Sequence, residues 1–352
     1  MTTEKTKMQP EIMETNPTEN QQKAVRSQGR LKDFLARPEV VTVGLIILAF
    51  IAGSIMSPYF LDAAFLFNYT SLYIEVGIMA IAMTFIIISG NIDLSVASIL
   101  ALVAAVVGVS YFDMGIPMAL TILIALVTGA LLGAFNGFMI VRTKLPALAV
   151  TLATLALYRG VAQVLLGDDS RPRLAWSRDI IFPEWFTGIN RIYVPGTPIP
   201  IPFVIFLVLA IILGIVLHRT TFGRWVYATG TNEIATRYSG IRTERLKVML
   251  FTLSGLMAGI AGLIMVSRLS TARYDHARGW ELDVITAVVL GGTSIFGGRG
   301  TMFGTVAAYL LLIILRTGMG VANVKAESQL AVIGSLLIIA ILVSNLTGRL
   351  RK

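Results

Sequence analysis

The 352-residue sequence contains no cysteine and only two histidines, His218 and His276. The first absence removes disulfides, thiolate metal sites and cysteine nucleophiles. The second leaves any zinc or triad chemistry resting on one or both of those rings. Charge is scarce too. Only 14% of residues are Asp, Glu, Lys or Arg, against about 25% in a soluble globular chain. An ordinary water-soluble enzyme does not fit that composition. What the chain has instead is 55% apolar residues, 32 glycines and 14 methionines, with a mean hydropathy of +0.78. The formal net charge of +9 invites a nucleic-acid reading. That reading fails because the basic residues gather at the ends of apolar runs, where they set membrane orientation.

A helix needs roughly 20 apolar residues to cross the hydrocarbon core. Ten runs approach that length: 40–57, 72–89, 94–110, 114–140, 145–166, 200–217, 247–268, 283–297, 301–317 and 329–346. The third, eighth and ninth are short or separated by glycine-rich breaks. With the N-terminus inside, segments 1–39, 141–144, 218–247, 298–300 and 347–352 carry 19 of the 29 basic residues. The expected fold is therefore an all-α integral membrane protein of about ten transmembrane helices, some short or broken, with both termini cytoplasmic. Trp176, Trp185, Trp225 and Trp280 fall in the flanks, as interfacial anchors do. Residues 1–38 read as a polar, disordered cytoplasmic tail ahead of a membrane domain over 39–352. The tail has no short apolar stretch with a small-residue cleavage site, so the first apolar run reads as an uncleaved signal anchor. Two loops exceed mere connectors: an outer one over 167–199 and an inner one over 218–247 with six basic residues. Loops of that length usually have a function; solvated filler is the bland reading.

Residues 89–95 (Ser-Gly-Asn-Ile-Asp-Leu-Ser) interrupt an apolar region. Asn91 and Asp93 can each cap a helix starting near Leu94, with Gly90 supplying the turn. Either this is a capped turn, or it is a broken helix whose end, with Asn91, Asp93 and Ser95, lines a translocation path. A second break, 291–304, holds Gly297, Gly298 and Gly300 but lacks the Gly-Lys-Ser/Thr ending of a phosphate loop. Close helix packing and a tight turn are the better account. Each break follows an apolar run that begins at an acid, Glu75 or Glu281. Small-residue spacings at Gly129, Gly133 and Gly137 and at Gly255 and Gly259 indicate closely approaching helices. Glu75, Asp93, Arg159 and Arg316 are the charges in or near the membrane, and such residues are functional candidates. Each lies near the end of its run, where snorkelling or capping is the plainer reading. The inner segment 230–241 reads as a short helix, capped by Thr231 or Asn232 and closed by Gly240 in the left-handed conformation. Its face offers Glu233, Arg237 and Tyr238. Such a knob suits a groove on another protein; a surface helix lying on the membrane is the alternative.

These stretches carry a resemblance. Asn91-Ile92-Asp93-Leu94-Ser95-Val96 looks like a hallmark of the permease subunits of bacterial ATP-binding-cassette importers for monosaccharides, of the ribose, xylose, rhamnose and autoinducer-2 type. Leu145-Pro146-Ala147 with Thr151-Leu152, followed by Leu157-Tyr158-Arg159-Gly160, is similar to a second characteristic stretch. Phe222-Gly223-Arg224, residues 228–232 and Ser239-Gly240-Ile241 resemble the family's cytoplasmic coupling segment. Gly291-Gly292 with Gly297-Gly298-Arg299-Gly300 resembles a fourth stretch. The likeness runs from about residue 40 to the end, and the ordered set of motifs is specific where any one alone is weak. Ala97 stands where the family pattern leads one to expect glycine.

The resemblance implies a multi-pass protein of the bacterial inner membrane that pairs with a second permease subunit, like or unlike itself. Two cytoplasmic ATPases would grip a coupling segment of Thr231, Asn232, Glu233, Ala235, Arg237, Tyr238, Ser239 and Gly240. A periplasmic sugar-binding protein would dock on the outer loops 167–199 and 270–282. The chain would bind no nucleotide, no metal and no nucleic acid, and would not itself be an enzyme, ATP being hydrolysed on the partner. Rival readings are related permeases for branched-chain amino acids or nucleosides, a stand-alone proton-coupled carrier, and a membrane enzyme. A carrier would keep working after ATP depletion, and an enzyme would need a polar catalytic cluster facing the bundle interior, which the sequence does not offer.

Overall fold

The computed structural model describes residues 38–56, 58–173 and 181–350. The polar tail expected over 1–38 lies, apart from Pro38, outside the described residues, as does Trp176. The described residues form helices and no strands. In chain order the helices are α1 (Pro38–Met56), α2 (Ala63–Leu72), α3 (Ile74–Ile88), α4 (Val96–Gly108), α5 (Met118–Thr143), α6 (Ala147–Leu166), α7 (Glu184–Thr187), α8 (Ile201–Arg219), α9 (Thr221–Thr231), α10 (Glu233–Tyr238), α11 (Thr243–Leu269), α12 (Trp280–Leu290), α13 (Met302–Val321) and α14 (Ala326–Leu350). Val109–Asp113 extends α4 as a π-turn.

Local sequence explains most boundaries. Pro117 and Pro146 stand directly before α5 and α6, where a proline's missing N–H costs nothing. Lys144, in the left-handed conformation at φ 57°, stops α5. Asp62 caps α2 by accepting from Ala64 N at 2.8 Å. Thr301 caps α13 by accepting from Gly304 N at 3.0 Å.

Six helical segments among the described residues are long and apolar enough to cross a membrane: 96–113, 118–143, 147–166, 201–219, 243–269 and 302–321. The run expected over 72–89 is α3; joined to α2 ahead of it by a 64° bend at Tyr73 and counted with it as one, it makes a seventh span. The run 283–297 must be corrected. Its helix α12 ends at Leu290, so its 11 residues reach about 16 Å, short of a core of about 30 Å. The glycines that follow continue as a loop. The run 94–110 begins as helix at Val96 and runs on through the π-turn to Asp113.

α3 occupies the centre, every one of its residues buried, with α8, α11, α12 and α13 around it. α4, nearly as buried, packs against α5, α6 and α11, and α11 packs on α3 as well. The α5, α6 and α8 helices sit at the periphery and leave apolar side chains such as Leu123, Leu131, Leu152 and Ile211 exposed. A ring of exposed apolar surface around a polar-ended bundle is what lipid requires.

The tightest helix pair is α5 with α11. The glycine spacings noted in the sequence face each other there. A Cβ on Gly133 would come within 2.9 Å of Gly255 Cα, and one on Gly137 within 2.7 Å of Val248 Cα. Where Gly133 meets Gly255 the backbones approach so closely because neither residue has a side chain to hold them apart. Gly255→Val should therefore lower stability by about 1–3 kcal/mol, read as an earlier midpoint in a detergent-denaturation titration. Gly160→Ala, which meets nothing within 4 Å, should leave the midpoint in place.

Candidate functional site: two broken helices and the knob seated on them

The α9–α10 knob and the 270–279 loop lie at opposite ends of the bundle, since α8 and α11 each run the full span between them. At the knob end the chain is broken twice, between α3 and α4 and between α12 and α13.

The first break is held by side chains. Asp93 is fully buried. Its Oδ1 accepts from Ser95 N at 2.9 Å and Ser95 Oγ at 2.6 Å, and its Oδ2 accepts from Ser254 Oγ at 2.9 Å. Ser95 Oγ in turn accepts from Asn136 Nδ2 at 2.7 Å. The Tyr158 hydroxyl lies 2.8 Å from Asn136 Oδ1 and 3.0 Å from Leu132 O. Thr151 Oγ1 donates to Ile92 O at 3.3 Å. One buried polar chain thus joins α11, the break, α5 and α6. The expectation that Asn91 and Asp93 cap α4 is corrected: the Asn91 amide turns back and donates to Ser89 O and Ser89 Oγ, Asp93 holds Ser95, the residue before the helix, and α4 starts at Val96 rather than near Leu94.

The second break docks on the first by backbone. Gly298 N donates to Ile88 O at 2.8 Å. Gly230, at the end of α9, sits between them. A Cβ there would collide with the Ile88 carbonyl and lie 2.6 Å from Gly298 N. A Cβ on Gly297 would come within 3.0 Å of Gly90 Cα, and one on Gly298 within 2.6 Å of Thr231 Oγ1. Gly90, Gly297 and Gly298 all have positive φ, 80°, 82° and 74°, which other residues adopt only under strain. The Gly300 carbonyl accepts from the Tyr227 hydroxyl at 2.7 Å, and Met302 N donates to His218 Nε2 at 3.2 Å. Burial pushes the Tyr227 hydroxyl up to about 12, so it stays a proton donor at neutral pH.

The knob is built as its sequence suggests, with one choice settled. Asn232 is the cap, accepting from Ala235 N at 2.9 Å. Thr231 is instead the last residue of α9, its hydroxyl donating to Tyr227 O. Gly240 closes α10 at φ 85°, and Ser239 Oγ donates to Ala235 O. Glu233 pairs with Lys247 at 2.7 Å and Arg237 with Glu244 at 3.0 Å. Both bridges tie α10 to α11. Tyr238 is 89% exposed and Ile234 70%, so the knob offers two apolar side chains to something outside the chain.

Glu75 and Arg316, whose positions suggested snorkelling or capping, are in ion pairs instead. Glu75 is fully buried and pairs with Arg268 at 3.0 Å. Asp283 pairs with Arg316, whose guanidinium stacks 4.8 Å from the Tyr73 ring. At the end opposite the knob, Arg171 pairs with Asp113 at 2.9 Å and exchanges two backbone hydrogen bonds with Ala272. Ser267 donates to the Phe186 carbonyl, which seats α7 on the end of α11. The Asp275 carboxyl, held by hydrogen bonds from Arg273, sits below the usual carboxylate range. Burial likewise lowers His276, leaving a neutral ring whose Nε2 lies 2.9 Å from Thr271 O. Among the described residues no group of three His, Asp or Glu side chains is placed to hold a metal.

Inspection of the sequence missed Tyr227, Asn136 and Ser254, and it named His218 and the stretch holding Gly230 without these contacts. Asn136 gave a usable signal, a lone amide inside an apolar helix. The others are ordinary residues made important by what folds against them.

Comparisons with known proteins bear on this arrangement. Residues 65–341 match the family model described as branched-chain amino acid transport system / permease component. The ribose import permease protein of Bacillus subtilis (strain 168) is 37% identical over 337 residues, 95% of this chain and 99% of that protein. The ribose import permease protein of Escherichia coli (strain K12) is 36% identical over 314 residues, covering 89% and 95%. The autoinducer 2 import system permease protein of Escherichia coli (strain K12) is 36% identical over 303 residues, covering 86% and 90%. No solved structure matches the chain.

Asp93→Ala removes the acceptor of three buried hydrogen bonds and should cost about 2 kcal/mol or more. Folded yield and thermal midpoint should fall before solute preference changes. Normal yield with a shifted preference would count against a structural role for this carboxylate.

Proposed function

The chain belongs to the permease-component family of the branched-chain amino acid transport system, and from that premise we propose that it is the membrane-spanning subunit of an ATP-binding-cassette importer carrying a monosaccharide or a related small polar solute. The sugar branch is preferred over amino acids and nucleosides because the similar permeases named above import ribose and autoinducer 2. Membership in this family also argues against a stand-alone proton-coupled carrier.

In this reading both termini are cytoplasmic, and the chain crosses the membrane about ten times, with α12 and the loop after it making one short crossing. Residues 39–352 form the permease domain behind a polar tail. Partners are a second permease subunit, cytoplasmic ATPases that bind and hydrolyse the nucleotide, and a periplasmic sugar-binding protein on loops 167–199 and 270–282. No nucleotide binds to this chain. The observation that carries the reading is the seat of the knob. Gly230 wedges against both helix breaks at once, while Ile234 and Tyr238 on α10 face outward. A partner gripping Thr231, Asn232, Glu233, Ala235, Arg237, Tyr238, Ser239 and Gly240 would move the ends of α3 and α13 together. Asn91, Asp93, Ser95, Gly297, Gly298 and Gly300 would then hinge the two breaks along the path.

A gentle detergent pull-down of the tagged chain tests this. A co-purifying ATPase and a sugar-binding protein support the importer; a chain that comes down alone and still drives uptake without ATP overturns it. Arg237→Glu sets a carboxylate against Glu244, and Gly240→Pro cannot adopt a φ of 85°. Both variants should abolish uptake while remaining folded in the membrane. Uptake at the parental rate in both would remove the coupling role of 231–241.

A further inference from the structure

We propose that Arg159 is a positioning residue that makes the 270–279 loop move with the first turn of α4, so that a change at the knob reaches the opposite face of the bundle. The inference rests on the importer reading, which supplies the nucleotide that drives the knob. Arg159 Nη1 donates to two carbonyls of that loop, Tyr274 O at 2.7 Å and His276 O at 2.6 Å. Its Nη2 donates to Ala97 O at 3.4 Å, in the first turn of α4. One guanidinium therefore joins three elements: α6, which carries it, the loop and α4. Its neighbour Tyr158 is the end of the polar chain that runs through Asn136 and Ser95 to Asp93. Two successive residues of α6 thus hold the start of α4, Tyr158 through the buried network and Arg159 by its own bond to Ala97 O.

The rest of the loop is tied elsewhere. Ala272 pairs with Arg171, the His276 ring lies on Thr271 O, and Arg273 pairs with Asp275 inside the loop. Arg171 also joins Ala272 to the far end of α4 through Asp113, whereas Arg159 makes the bond that reaches the first turn of α4. Glu281, Asp275 and Arg278 are close enough to act on its charge, so the guanidinium sits in a field set by the loop and α12. The carbonyls occupy Nη1, which makes Arg159 a holder of the loop rather than a group free to bind solute. A planar fork with several fixed donors suits that task. A lysine is a single point charge on a flexible stem and cannot reproduce it.

The absence of cysteine makes the test direct, because Arg278→Cys installs the sole thiol on an exposed position of the loop. The permease is assembled with its ATPase in membranes. Labelling by a membrane-impermeant maleimide is timed with and without a non-hydrolysable ATP analogue. In the Arg278→Cys parent the nucleotide should change the labelling rate by about tenfold, a usual size for coupling between sites. With Arg159→Met added, the ratio should fall below about twofold. A merely structural role would shift both rates alike and leave their ratio standing. If Arg159→Met fails to fold, Arg159→Lys, checked by size exclusion, should give a smaller ratio than the parent. A parental ratio in the folded Met or Lys variant overturns the proposal. So does a loop that ignores nucleotide in a parent whose ATPase binds and hydrolyses ATP. Failure of any ATPase to co-purify would instead overturn the importer reading, and this inference with it.

Discussion

A backbone broken inside an apolar bundle must find hydrogen-bond partners for the groups the break frees, because lipid supplies none. That constraint organises this protein. The seven residues from Ser89 to Ser95 separate two buried helices. Asp93 satisfies the start of the second helix, and the demand then propagates. Its other oxygen takes Ser254, Ser95 takes Asn136, and Asn136 takes Tyr158. Each partner comes from a different helix, so the polar chain also fixes how α5, α6 and α11 stand around α4. Fully satisfied buried networks of this kind specify one arrangement, because any slip leaves a polar group unpaired in a medium where that is costly.

The second device is the absence of side chains. Where α9 meets the two breaks, the backbones of Gly90, Gly230, Gly297 and Gly298 touch. Contacts made through backbone leave no flexible side chain to absorb a push. A displacement of the knob is handed to the carbonyl of Ile88 and the amide of Gly298 with little slack. The same logic holds α5 against α11 through Gly133 and Gly255. Packing of this density deforms between discrete arrangements rather than continuously.

Charge follows a third rule. Glu75 with Arg268 and Asp283 with Arg316 are ion pairs with little or no exposure. Burial of such pairs is weak evidence for added stability, since desolvation offsets the attraction, but loss of one partner costs about 3–5 kcal/mol. Their effect is to specify which helices stand together. Glu75 lies 193 residues from its partner, and Asp283 lies 33 from its own.

The sequence by itself determined the class, the positions of the breaks and the form of the knob. These depend on neighbours along the chain: apolar run length, proline before a helix, an Asn cap at 232, glycine at 240. It also showed that Gly129, Gly133 and Gly137 would meet another helix, because their spacing is periodic. It overran at 283–297, where the helix stops at Leu290, since an apolar composition cannot distinguish a helix from a glycine loop packed on backbone. It read Glu75 and Arg316 as end effects because their partners are distant in the chain. Tertiary structure alone decided that Asp93 finds Ser254, that Gly230 seats between two breaks, and that Arg159 turns toward Tyr274 and His276. Pairings of that kind are chosen by which surfaces close against each other, and no local pattern encodes them.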